Sequence, residues 1–255
     1  MVGNFVFIFY LRLPAKEAGF LFIMAKENSK KIGILGGIGP EATGRFYLKL
    51  ISEIQKRRLV KSNTDFPQII INSIPAPELV GKNISRKDLR VYIKGLKELD
   101  KLGLDFIVMV CNTIHLFYDE LQGEIDTPIL DLRKEVKNYI KHNKIKSISI
   151  LGTLATMNSN LYKFRGVKYI KIKDRDQELL SKSILDFNMG LNKDKQVRIV
   201  SKLVKGYLEK GAKVVILGCT EIALMLEKEK IPKIDTLDLL VNSVIKKSEV
   251  YGIRS

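Results

Sequence analysis

The chain reads as an α/β protein made of two similar doubly wound halves, each a mainly parallel sheet flanked by helices. Three observations lead there. From Lys31 onward, short apolar runs alternate with stretches of helical spacing, as expected of strands buried on both faces. Glycines close several of these segments. The features of the first half then return in the same order in the second.

Ile32-Gly33-Ile34-Leu35 is a short buried strand ended by Gly36-Gly37. Phe46, Leu48, Ile51 and Ile54 predict a helix over 41–55. Ile69-Ile70-Ile71 is a second strand, and a helix over 88–102 carries Leu89, Ile93, Leu96 and Leu99 before Gly103 stops it. Residues 106–110 form a third strand. The replay begins at 147–152, where another strand runs into a glycine. A helix around 195–210 ends at Gly211, and a strand over 214–217 leads to Gly218-Cys219-Thr220. Gly103 precedes Cys111 by eight positions and Gly211 precedes Cys219 by eight. Thr127-Pro128-Ile129-Leu130-Asp131 echoes Ile231-Pro232-Lys233-Ile234-Asp235.

These matches predict a first α/β domain of residues 31–131 plus 233–255, carrying Cys111, and a second of 132–232, carrying Cys219. A pseudo-two-fold axis would relate them, with the active site in the cleft between. Residues 1–30 read differently. Their two apolar runs, 5–11 and 20–23, fall well short of the roughly 20 residues that span a bilayer. A basic n-region and a small-residue cleavage site are missing. The expectation is a native start at Met24, preceded by an appended leader.

The composition, 45% hydrophobic and 28% charged over 255 residues, excludes disorder, collagen-like repeats and a disulfide-stapled scaffold. Two cysteines over a hundred positions apart argue for a cytoplasmic chain without a structural disulfide. With His115 and His142 as the only histidines, no metal is expected. The formal charge of +16 is compatible with anionic substrates. The basic residues, among them Lys141, Lys144, Lys146 and Lys168, are dispersed among acidic ones without interleaved aromatics. They read as a solvated surface, with neither nucleic acid nor membrane as partner.

In an open parallel sheet, ligands bind beyond the carboxyl ends of the strands, and both cysteines fall there, each at a strand-to-helix turn. Helix N-termini lower thiol pKa values and offer N–H groups to a carboxylate. Asn112, Thr113 and Thr220 are either helix caps or groups that grip a substrate carboxylate or amine. His115, one helical turn after Cys111, either raises the thiolate fraction and binds substrate or is a satisfied interior histidine. Glu221 either orients a substrate ammonium or caps its helix. Gly36-Gly37-Ile38-Gly39-Pro40 lacks the dinucleotide fingerprint. It fits a tight loop, with Ile38 and Gly39 at the substrate.

Residues 32–43, the Cys111-Asn112-Thr113-Ile114-His115 segment and the Gly218-Cys219-Thr220-Glu221-Ile222 segment together resemble the aspartate/glutamate racemase family, above all its aspartate racemase branch. The similarity runs from about Lys31 to the C-terminus. It implies an isomerase, an amino-acid racemase independent of pyridoxal phosphate and of any other cofactor, acting on a small amino acid as a homodimer. By that resemblance Cys111 and Cys219 are the acid/base pair, and Asn112, Thr113, Thr153 and Thr220 hold the α-carboxylate and amino group.

Two departures bear on the side chain. Where aspartate racemases have Pro-x-Pro-Asp-Arg-Thr, this chain has Pro75-Ala76-Pro77-Glu78-Leu79-Val80, so Leu79 replaces the arginine that pairs with the distal carboxylate. The family's Tyr-x-x-x-Lys aligns with Ile184 and Asn188. Both cationic contacts are thus absent, leaving Lys82 or Arg86 nearby as substitutes and acidic specificity unsupported. The same superfamily contains isomerases and decarboxylases of small dicarboxylic acids, although its decarboxylases need one cysteine only. A non-catalytic binding protein on the racemase fold is the third reading.

Overall fold

The computed structural model describes residues 30–79, 81 and 84–248. The leader expected before Met24 and the candidate Lys82 lie outside the described residues. The described chain holds two all-parallel sheets flanked by helices. In the first, β2 (Gln68–Ser73), β1 (Lys31–Gly36) and β3 (Phe106–Met109) lie side by side in that order. In the second the order is β5 (Lys168–Tyr169), β4 (Ser147–Gly152), β6 (Val214–Gly218) and β7 (Lys233–Asp235).

Burial on both faces explains the apolar strands. Along β3, Phe106 and Val108 enter one core, while Ile107 and Met109 enter another on the opposite face. The first of these cores is the larger and continues under the second sheet through Ile148, Val215 and Leu217. Helix α1 (Pro40–Lys56) buries Phe46, Leu50 and Ile54. Helix α2 (Arg86–Asp100) begins at a reciprocal Ser85/Asp88 capping box. That box explains why the helix starts ahead of the periodic residues. Gly103 takes φ 62° just beyond its end.

The short sequence echo marks equivalent places in the two sheets. The Ile107 N–H donates to the Pro128 carbonyl at 2.9 Å, and the Val215 N–H donates to the Pro232 carbonyl at 3.1 Å. Asp131 then caps α4 (Leu132–His142) by accepting from Arg133 N–H. Asp235 caps α9 (Thr236–Lys247) by accepting from Leu237 and Asp238 N–H. Helix α9 packs against both α1 and α4.

Several elements had no expectation attached. Short α3 (Tyr118–Gln122), α5 (Leu154–Asn158) and α8 (Thr220–Met225) occupy one or two turns each, and β5 has two residues. Helix α6 (Asp174–Asn188) hides a buried face of Leu180, Ile184 and Phe187 among charges, whereas α7 (Lys193–Glu209) is the helix expected around 195–210. Among the described residues no helix is long and apolar enough to cross a membrane.

Parallel registry carries the carboxyl ends of β1 and β3 to one edge, with Leu35 opposite Met109. It does the same for β4 and β6, with Gly152 opposite Gly218. A Cβ on Gly152 would lie 2.7 Å from the Gly218 carbonyl oxygen, so only glycine keeps these ends together. Replacing Asp235 by Ala should lower stability by about 1–2 kcal/mol, since two helix N–H groups lose their acceptor. Urea denaturation reads this as a lower midpoint with an unchanged slope; an unchanged midpoint would contradict the cap.

Candidate active site

A cavity of about 510 Å³ lies at the carboxyl ends of the strands. Cys111 reaches it two residues beyond β3, and Cys219 reaches it at the N-cap of α8, directly after β6. Both are free and buried, 8% and 5% exposed. The Gly37–Pro40 turn, the segment after β2 and the last turns of α6 supply the rest of the wall.

Most residues singled out in the sequence meet here. Ile38, Gly39, Asn112, Thr113, Thr153, Thr220 and Glu221 line the cavity, as do Leu79, Ile184 and Asn188. His115 does not. Its ring is fully buried. Nδ1 lies 2.7 Å from the Cys111 carbonyl oxygen and Nε2 lies 3.4 Å from that of Leu130. Burial holds its pKa below the ordinary range. A neutral imidazole has one N–H, so only one of these carbonyls can accept from it; the ring sits against the main chain of the turn and does not line the cavity. Arg86 is turned away as well, paired with Glu120 at 3.2 Å and Glu124 at 3.6 Å.

The polar side chains are largely committed to one another. The Thr113 hydroxyl lies 2.9 Å from that of Thr153 and 3.1 Å from that of Thr156. This network ties the turn after β3 to the turn after β4. Asn112 donates to Thr236 at 2.9 Å, Thr236 donates to the Leu217 carbonyl at 3.0 Å, and Tyr162 donates to the Asn112 Oδ1. Among the described residues, the second N–H of the Asn112 amide has no acceptor. Thr156, Tyr162 and Thr236 had not been singled out. The Thr153/Thr156 spacing is a legible helix-start signal, whereas nothing local marks Tyr162 or Thr236.

Glu221 has a more definite position than either sequence alternative. Its Oε2 accepts from the Cys219 thiol at 2.8 Å and from the Thr220 hydroxyl at 3.2 Å. Its other oxygen lies where a Cβ on Gly39 would be, only 2.2 Å away. Gly39 also takes φ 86° as the N-cap of α1, so sterics and backbone both demand glycine. Burial raises the Glu221 pKa, and the negative charge of Glu41 adds to the effect. Glu41 itself pairs with Lys193.

The thiols depart from expectation. Helix N-termini were expected to lower their pKa values, yet burial pushes Cys111 up to about 12, and the Glu221 charge adds to it. N–H groups of Ile114 and Thr113 oppose the shift without cancelling it. Cys219 is raised well above the ordinary range by burial, then by the adjoining Glu221 carboxylate and by Cys111. Removing water from a thiolate outweighs the partial charges of short turns. Both sulfurs belong to residues that line the same cavity. Among the described residues no group of three His, Cys, Asp or Glu side chains is arranged to hold a metal ion.

The model of the Asp/Glu/hydantoin racemase family matches residues 35–244. The chain belongs to this family. It is 30% identical over 227 residues to the broad specificity amino-acid racemase RacX of Bacillus subtilis, covering 86% of this chain and 99% of that one. A Picrophilus torridus aspartate racemase superposes with TM-score 0.72 at 24% identity, covering 86% of this chain and 94% of the other. An aspartate racemase homologue from Pyrococcus horikoshii OT3 gives 0.66 at 27%, covering 86% and 99%. Racemases are isomerases, and this places the chain in that enzyme class.

In this racemase-family chain, a raised thiol pKa means little thiolate at pH 7. Iodoacetamide alkylation, followed by mass spectrometry, should be slow at neutral pH and rise about tenfold per pH unit from 7 to 9. Glu221→Gln should speed alkylation of Cys219 at every pH in that range, because a charge that disfavours the thiolate is removed. Equal rates in both proteins would place a proton on Glu221 in the resting state.

Proposed function

We propose that the chain is a cofactor-independent amino-acid racemase in which Cys111 and Cys219 exchange protons with the substrate α-carbon from opposite faces. The observation that carries this reading is that two buried thiols, each just beyond the carboxyl end of a parallel strand, line one small cavity. Inversion at carbon needs a base on one side and an acid on the other. A thiol held protonated by burial is a ready acid, and a thiolate in a dry site is a stronger base than in water.

Glu221 supplies the route to that base. It accepts the Cys219 proton along the existing 2.8 Å contact, leaving the thiolate to take the α-proton. Cys111 delivers its proton to the other face. The second N–H of Asn112 holds the carboxylate as charge builds on the α-carbon, joined by the hydroxyls of Thr153 and Thr220 once they turn from Thr156 and Glu221 toward it. Enantiomers are equal in free energy, so any substitution must lower kcat/KM equally in both directions.

The wall around the side chain favours uncharged substrates over aspartate or glutamate. Among the described lining residues there is no Arg or Lys, and Ile74, Pro75, Pro77, Leu79 and Ile184 make an apolar surface. A carboxylate buried there would have no counter-charge. The broad specificity named for the Bacillus subtilis relative agrees with this. The reading includes a homodimer in the cytoplasm, by family resemblance, and the two-domain division, 31–131 with 233–255 and 132–232.

Incubation with single L-amino acids in deuterated water should give α-deuterium exchange for uncharged substrates. No exchange with any of the twenty would defeat the proposal. Cys111→Ser and Cys219→Ser should each lower racemisation at least about a thousandfold, because an alcohol is a far weaker acid than a thiol. Parental rates in either variant would remove that sulfur from the mechanism. Leu79→Arg should shift preference toward aspartate; an unchanged preference would mean that Leu79 does not face the side chain.

A further inference from the structure

Basic residues of the stretch 133–165 gather on one face of the fold. A second concavity of about 600 Å³, sharing no lining residue with the cysteine cavity, is formed by α4, the loop leading into β4 and the segment before β5. Eight Lys or Arg side chains line it against a single carboxylate, Asp131. That carboxylate is already engaged, capping α4 and pairing with Arg133 at 2.9 Å. Arg133 also reaches Asp119 at 3.1 Å, and Lys134 approaches Asp131 at 3.9 Å. The other six, Lys137, Lys141, Lys144, Lys146, Lys163 and Arg165, have no acidic partner among the described residues.

The floor is different. Ile140, Ile145, Leu161, Phe164 and Val167 give it an apolar surface, with Phe164 half-buried. Such a floor rimmed by cations is unlike a dispersed solvated surface. Like charges gathered around one groove repel one another, and physiological salt, with a Debye length of roughly 8–10 Å, screens that repulsion only in part for those that are close. A multivalent anion relieves that repulsion. The volume matches small-molecule sites of roughly 300–1,000 Å³, and the apolar floor calls for a ligand with an apolar or planar part.

We propose that this groove is a binding site for a phosphorylated small molecule of the nucleoside polyphosphate class. Its phosphates meet Lys141, Lys144, Lys146 and Lys163, and its base lies over Phe164 and Ile145. Phosphates are multivalent and take several lysine ammonium groups at once, while an aromatic ring offers the base a stacking face.

Isothermal titration of the full chain with ATP, without divalent cations, should give saturable binding at one site. Inorganic pyrophosphate should bind more weakly, and adenosine should not bind measurably. The double variant Lys144→Glu/Lys163→Glu should weaken ATP binding about tenfold or more, since two attractions become repulsions. Lys94→Glu, outside the groove, should change it less than about twofold. Unaltered thermal melting of the variants verifies folding. Absence of saturable binding by both ATP and pyrophosphate overturns the proposal. So does equal weakening by both variants, which would indicate a general effect of net charge. Tighter binding of a single-stranded oligonucleotide than of ATP, lost in the same double variant, would assign the groove to nucleic acid and overturn it too.

Discussion

Exclusion of water from the place where the strand ends of the two sheets meet is the constraint on which the site rests. The hydroxyls of Thr113, Thr153 and Thr156 join the turn after β3 to the turn after β4, and Asn112 reaches Thr236 at the start of α9. These bonds connect segments more than a hundred positions apart in one case and about forty in the other. They satisfy polar groups that would otherwise oppose burial. Behind them both sulfurs are shielded, and shielding is the largest influence on the protonation of each.

Burial and chemistry pull against each other at this site. A dry cavity makes a thiolate costly to form and reactive once formed. Glu221, within hydrogen-bond reach of the Cys219 thiol, reconciles the two by offering the proton a nearby acceptor. Its negative charge raises the thiol pKa in the resting state, so the same group that suppresses the thiolate also provides the means of making it. Room for that carboxylate comes from Gly39, which lies against it and has no side chain to collide with it. In the proposed mechanism this arrangement acts at the α-carbon, whereas the apolar wall around Leu79 and Ile184 bears only on what lies beyond it.

Much of the site was legible because parallel α/β topology converts sequence position into spatial position. A residue just after a buried strand must lie at the carboxyl edge of the sheet, so Cys111, Cys219 and their neighbours were placed by strand pattern alone. His115 illustrates the limit of that inference. Helical spacing put it near Cys111, but the spacing says nothing about where the ring points, and its nitrogens lie against main-chain oxygens. The helix-terminus argument for acidic thiols failed for a related reason. It counted favourable partial charges without the desolvation that tertiary packing imposes.

The amino-acid sequence by itself determined the alternation of strand and helix and the repeated cysteine turns, because these depend on periodicity and local residue type. Only the tertiary structure decided the protonation of the thiols, the engagement of Glu221 with Cys219, the neutrality of His115 and the gathering of dispersed lysines around one groove. Those depend on burial and on where each side chain points once the whole chain is packed, and electrostatic energy follows separation in space and loss of water, which local pattern does not encode.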